Sequence, residues 1–209
     1  MSSTLLLKNA LVIATLDDEQ REIANGSVFI RGNRVEAVGP ASELPDTADK
    51  VIDMTGHVLI PGLINTHHHM FQSLTRALPA AQDAELFDWL TALFPVWQNI
   101  TPAMQRAATR TAMAELMLSG CTTAADHAYL YVNGTRLDDS VQAAQEMGMR
   151  FHAVRGAMSL GQSKGGLPPD ALVEQDEDAI LKEMQRVVEE LHDATPDAMI
   201  KVALGPCSP

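Results

Sequence analysis

The spacing of apolar and polar positions changes character near residue 61. Before it, short runs rich in Val, Ile and Leu alternate with polar residues and are bounded by turn formers, which predicts strands over residues 4–14, 27–30, 34–38, 51–53 and 57–60. Gly32-Asn33 supplies a tight hairpin turn between the second and third of these. After Pro61, short apolar strands at 63–67, 122–126, 150–156 and 199–204 alternate with helical stretches at 85–97, 102–118, 138–147 and 174–192. The second helix has Thr101 as N-cap, Pro102 at its first position and Gly120 beyond its end. Its apolar positions Met104, Ala107, Ala108, Ala112 and Leu116 mark a buried face. Residues 159–169 carry three glycines and two prolines and read as a loop.

This alternation is that of a parallel sheet or a (β/α) barrel. A complete barrel needs eight βα units and typically about 250 residues, whereas four units follow the β-rich start here. The expectation is therefore an α/β chain, with a small β domain over 1–60 and the first four barrel units over 61–209. Such a chain reads as the N-terminal half of a longer protein.

Composition narrows the function classes. The 27 acidic residues against 15 basic ones give a formal charge of -12, which repels a phosphate backbone and argues against nucleic acid as a partner. Cys121 and Cys207 are far apart and form no Cys-x-x-Cys, so neither a disulfide framework nor a thiolate zinc cluster is expected, and a reducing cytoplasm fits. The apolar start at 5–16 is broken by Lys8 and Asn9 and runs into Asp17, Asp18 and Glu19, unlike a signal peptide or a membrane span. The exposed sheet and the barrel helices leave room for a homo-oligomer.

Candidate chemistry begins with His67-His68-His69 at the end of the strand after Pro61-Gly62. Alternate residues of a strand share a face, so His67 and His69 point together as two ligands of a divalent ion and His68 points away. His57, His152 and His192 lack ligand spacing and read as structural or surface residues. His127, after Asp126, lies where barrel active sites form; a pocket-lining role and a satisfied strand end both remain open. Arg155 near the end of the third barrel strand is a candidate for binding a substrate carbonyl, with an ion pair to a neighbouring acid as its rival role. Cys207 reads as an inert thiol, and Glu174, Asp176, Glu177 and Asp178 as a solvated helix cap.

The string Asp53-Met54-Thr55-Gly56-His57-Val58-Leu59-Ile60-Pro61-Gly62, followed by Asn65-Thr66-His67-His68-His69, resembles the start of the barrel in the amidohydrolase superfamily. The likeness extends over the whole chain and includes Gly120-Cys121-Thr122-Thr123 leading into the second strand. It points to the branch of guanine, cytosine and adenosine-type deaminases and triazine hydrolases. Residues 68–76 and 159–169 are most similar to those of 8-oxoguanine deaminases.

The resemblance implies an amidohydrolase-type (β/α)8 TIM barrel preceded by a small β-sandwich domain. It makes His67 and His69 the first two ligands of one divalent ion, zinc by preference, and His68 the variable residue between them. Gln72 falls where guanine deaminases hydrogen-bond the purine, and Trp97 stands where nucleoside deaminases place a ribose-gripping glutamate. A flat, purine-like free base is the implied substrate, with 8-oxoguanine giving urate and ammonia. Triazine hydrolysis is the rival activity, and a metal-binding half-barrel without catalysis the rival of another class. The acid-base glutamate and the remaining ligands are expected beyond Pro209, which would leave the chain alone inactive.

Overall fold

The computed structural model describes residues 2–207. The chain forms two compact units that divide between Gly62 and Leu63. The first is one sheet of β1 (Thr4–Ala14), β2 (Glu22–Arg31), β3 (Arg34–Pro40), β4 (Lys50–Asp53) and β5 (Val58–Leu59). β1 is its hub, antiparallel to β2 and parallel to β4 and β5. The hairpin turn forms as expected, with Arg31 opposite Arg34 and Gly32 at φ +59°. A bulge shifts the β1–β2 register between Leu7 and Ala10, where Asn9 adopts φ 64°.

One expectation changes here. β2 begins at Glu22 rather than at residue 27, because its first residues gain a backbone ladder to Val12, Ile13 and Ala14 that their side chains do not announce. All five strands are hydrogen-bonded into one sheet, β3 through β2 and the others directly to β1.

The second unit is a four-stranded parallel sheet in sequential order: β6 (Leu63–Asn65), β7 (Cys121–Ala128), β8 (Arg150–Arg155) and β9 (Ile200–Leu204). Four helices accompany it: α1 (Leu86–Trp97), α2 (Pro102–Leu118), α3 (Leu137–Met147) and α4 (Glu177–Leu191). The main core joins Met113 of α2, Val141 of α3 and Val187 of α4 to Ala124, Phe151 and Val202 of the sheet. No described helix is long and apolar enough to cross a membrane.

α2 starts as its sequence dictates, with the Thr101 side chain accepting from the Met104 amide. Its buried face is rotated from the expected one. Gln105, Ala108, Thr109, Ala112 and Met113 are buried while Met104 is exposed. The physical reason is Ser140 on α3, whose Oγ lies 2.8 Å from Gln105 Nε2 and 3.3 Å from Thr109 Oγ1. A polar stripe with its bonds satisfied can be buried, and Arg106 pairs with Asp139 at 2.6 Å beside it.

A second cluster packs α1 against the segment after β7. It contains Phe71, Leu93, Phe94, Trp97, Leu130 and Val132. Trp97 meets Phe71 edge to face at 5.2 Å and Trp89 at 5.4 Å. Replacing Trp97 by Ala is expected to destabilise the second unit by about 3–5 kcal/mol, measured by urea unfolding. A loss below about 1 kcal/mol would contradict the packing assigned to this ring.

Candidate metal centre and its pocket

β6 stops at Asn65, two residues before the expected end, yet the chain stays beside β7: the His127 amide donates to the His68 carbonyl at 2.8 Å. His67 and His69 therefore leave the strand end together, with ring centroids 4.7 Å apart. His68 is half-buried apart from them, where burial lowers its pKa and the charges of Arg76 and Glu115 act on it. His69 Nδ1 lies 2.7 Å from the His127 carbonyl oxygen. A carbonyl only accepts, so Nδ1 carries the proton and Nε2 keeps its lone pair. Burial lowers the pKa of His69, which favours the neutral ligand form.

These features fit one side of a zinc site: two imidazoles, one with its tautomer fixed by a backbone acceptor. A group of three His, Cys, Asp or Glu able to hold an ion is absent among the described residues. The described residues thus group two imidazoles, with no third such side chain placed to hold an ion with them.

The wall beside the ligands comes from the end of β7. His127 and Tyr129 follow the strand alternation, with ring centroids 5.5 Å and 5.1 Å from that of His69. His127 Nε2 donates to the Gly205 carbonyl at 2.6 Å, tying β7 to the segment after β9. Of its two open roles, it therefore fills both: a satisfied strand end that also faces His69. Gln72, in the 3-10 turn Met70–Thr75, donates Nε2–H to the Tyr129 hydroxyl at 3.1 Å. Gly156 leaves room for this arrangement, since a Cβ there would fall 2.6 Å from Tyr129 Cβ and 2.7 Å from His127 Nε2. Beyond these residues, a mainly apolar groove of about 530 Å³ is lined by Phe87, Leu90, Met158, Leu160, Met184 and Cys207, among others. Burial raises the pKa of the Cys207 thiol, in keeping with an inert group.

Two of the sequence-based substrate assignments need correction. Trp97 is 0% exposed, and its indole N–H donates to Thr75 Oγ1 at 3.0 Å. It supports Phe71 from behind and presents no wall to a ligand. Arg155 is 1% exposed, pairs with Glu174 at 2.7 Å, donates to the Gly156 carbonyl and sits 3.7 Å from the Tyr131 ring centre. With its charge matched by Glu174, it joins β8 to the loop before α4 and does not reach for a substrate. Glu174 accordingly is no solvated cap. The N-cap of α4 is Asp176, which accepts from the Ala179 amide at 3.0 Å. His67 and His69 lie together just beyond the end of β6, and Gln72 follows in the next turn, bonded to Tyr129.

Sequence reasoning passed over Tyr129 and Asp126. The i, i+2 spacing from His127 was the available signal for Tyr129. Asp126 is fully buried; Oδ1 accepts from the Met70 amide at 2.7 Å, and Oδ2 has no partner among the described residues. Burial pushes its pKa up to about 7, opposed by the Met70 hydrogen bond.

This shift has a definite sign. Between the ordinary value of 3.8 and about 7 the folded protein holds a proton that the unfolded chain releases, so the contribution of Asp126 to stability falls as pH rises through that window and is level above it. Asp126→Asn keeps the acceptor for Met70 and cannot ionise. In metal-free protein it is expected to exceed the parent in stability by on the order of 3 kcal/mol near pH 8, with the advantage shrinking towards pH 4. A stability difference that stays constant with pH in thermal melts would refute this.

Comparison with known proteins places these features. Residues 58–209 match the Amidohydrolase family. The 8-oxoguanine deaminase of Pseudomonas aeruginosa is 42% identical over 205 residues, covering 97% of this chain and 45% of that protein. An isoxanthopterin deaminase from an unknown prokaryotic organism is 34% identical over 210 residues, covering 96% and 43%. The structure of atrazine chlorohydrolase from Arthrobacter aurescens TC1 complexed with zinc superposes with a TM-score of 0.88 at 30% identity, covering 97% of this chain and 46% of that one. The chain thus spans less than half the length of each of these relatives. It belongs to the amidohydrolase family.

Proposed function

We propose that the chain supplies the first-strand metal ligands and the base-recognition edge of a metal-dependent aminohydrolase acting on a purine-like free base. The proposed reaction is 8-oxoguanine plus water giving urate plus ammonia. The observation that carries this reading is the grouping of His67 with His69 and of His69 and Gln72 with Tyr129, with the His69 Nδ1 proton held by a backbone carbonyl. The similarity to an 8-oxoguanine deaminase and an isoxanthopterin deaminase supports the choice of a fused bicyclic substrate.

The roles follow from the geometry. His67 and His69 would hold a divalent ion, zinc by preference, through neutral imidazole nitrogens. When bound, such an ion lowers the pKa of water to about 7 and so provides a nucleophile at neutral pH. Asp126 fixes the Met70 amide and with it the turn that follows the ligands. Gln72 hydrogen-bonds the base. The acid-base group and the remaining ligands would come from outside the described residues, and the substrate is a small molecule met in the cytoplasm.

The test is ammonia and urate release from 8-oxoguanine by the intact protein. Turnover is expected, to be abolished by a chelator, restored by zinc, and lowered at least about 100-fold in kcat/KM by His69→Ala. Turnover of triazines alone would overturn the substrate assignment. Stoichiometric metal with no turnover of either class would favour a metal-binding half-barrel.

A further inference from the structure

Two groups beside His69 are committed to each other in one direction only. The Gln72 amide nitrogen donates to the Tyr129 hydroxyl at 3.1 Å, so its carbonyl oxygen Oε1 is turned away from Tyr129. The Tyr129 oxygen accepts that bond and keeps its own proton. Among the described residues no acceptor takes the Tyr129 hydroxyl proton and no donor reaches Gln72 Oε1.

The Tyr129 ring cannot easily turn away. It is held edge to face by His69 at 5.1 Å and by Phe71 at 5.3 Å, with His127 tilted at 5.6 Å. The backbone of Gly156 closes the side where a Cβ would collide with Tyr129 Cβ. A rigid phenol therefore orients a flexible amide. The result is one acceptor beside one donor, next to the proposed ligand His69.

We propose that Tyr129 is a positioning and specificity-determining residue, which turns Gln72 so that the pair reads a ring N–H next to a ring carbonyl. The substrate class is thus a heterocycle with a cyclic amide or urea edge. This rests on the deaminase reading for the identity of the pocket. The ring N–H donates to Gln72 Oε1 and the adjacent carbonyl accepts from the Tyr129 hydroxyl. 8-Oxoguanine has such edges, whereas 2-aminopurine and atrazine carry no ring carbonyl. A site built to satisfy a polar edge rejects an analogue that lacks it, because its own buried groups are then left unpaired.

The experiment compares 8-oxoguanine with 2-aminopurine. Calorimetric affinities of both are measured on the intact zinc-loaded protein and on Tyr129→Phe, with ammonia release followed in parallel. Tyr129→Phe is expected to weaken 8-oxoguanine about 10-fold, chiefly through KM, while changing 2-aminopurine less than about 2-fold. Gln72→Met, close in size and lacking the acceptor, is expected to show the same selective loss and serves if Tyr129→Phe does not fold. Equal losses for both ligands, or none, overturn the assignment of Tyr129, and leave the deaminase reading standing if the parent releases ammonia. A selective loss without ammonia release from the parent supports the edge-reading pair and overturns the deaminase reading. A parent that binds neither heterocycle overturns both.

Discussion

The site depends on the parallel register of β6 and β7. Three bonds carry that register past the end of β6: His127 amide to His68 carbonyl, His69 Nδ1–H to His127 carbonyl, and Met70 amide to Asp126 carboxyl. One strand end thereby fixes the backbone, the tautomer and the following turn of the other. Because side chains alternate along both strands, the same register sets His69, with His67 against it, beside His127 and Tyr129. A slip of one residue would reverse every one of these positions.

Polar burial around this junction is paired in part. Arg155 is buried with Glu174 against it, and Gln105 and Thr109 are buried against Ser140. These partners offset the loss of water. Bare atoms remain among the described residues at Asn65 Oδ1, His68 Nδ1 and Arg155 Nε, and Asp126 has one oxygen bonded and the other bare. A carboxyl so placed is costly to ionise, and its retained bond goes to the turn that carries Gln72. Stability at neutral pH is given up at the position that orders the pocket edge, a pattern common at functional sites.

The aromatic cluster divides the labour differently from its sequence appearance. Trp97, the largest ring, lies wholly inside and braces Phe71. Tyr129 packs on the same Phe71 and turns its hydroxyl towards Gln72. The apolar wall and the polar reader are thus successive layers of one cluster, and the outer layer is rigid because the inner one is packed.

Much of this was legible in the chain itself. Period-two and period-3.6 patterns located the strands and helices, the Thr101-Pro102 cap fixed the start of α2, and the alternation of His67 with His69 placed two imidazoles on one side, because each depends on local geometry alone. The single sheet of the first unit, the early start of β2 and the rotated face of α2 were not legible, since each is decided by a partner distant in sequence. The same holds for the inward fate of Trp97, the Glu174 partner of Arg155, and the pairing of Gln72 with Tyr129 across 57 positions. Sequence determined where the histidines fall and which way they alternate. Only the tertiary structure decided which polar groups bond each other, because hydrogen-bond satisfaction is a property of neighbours in space.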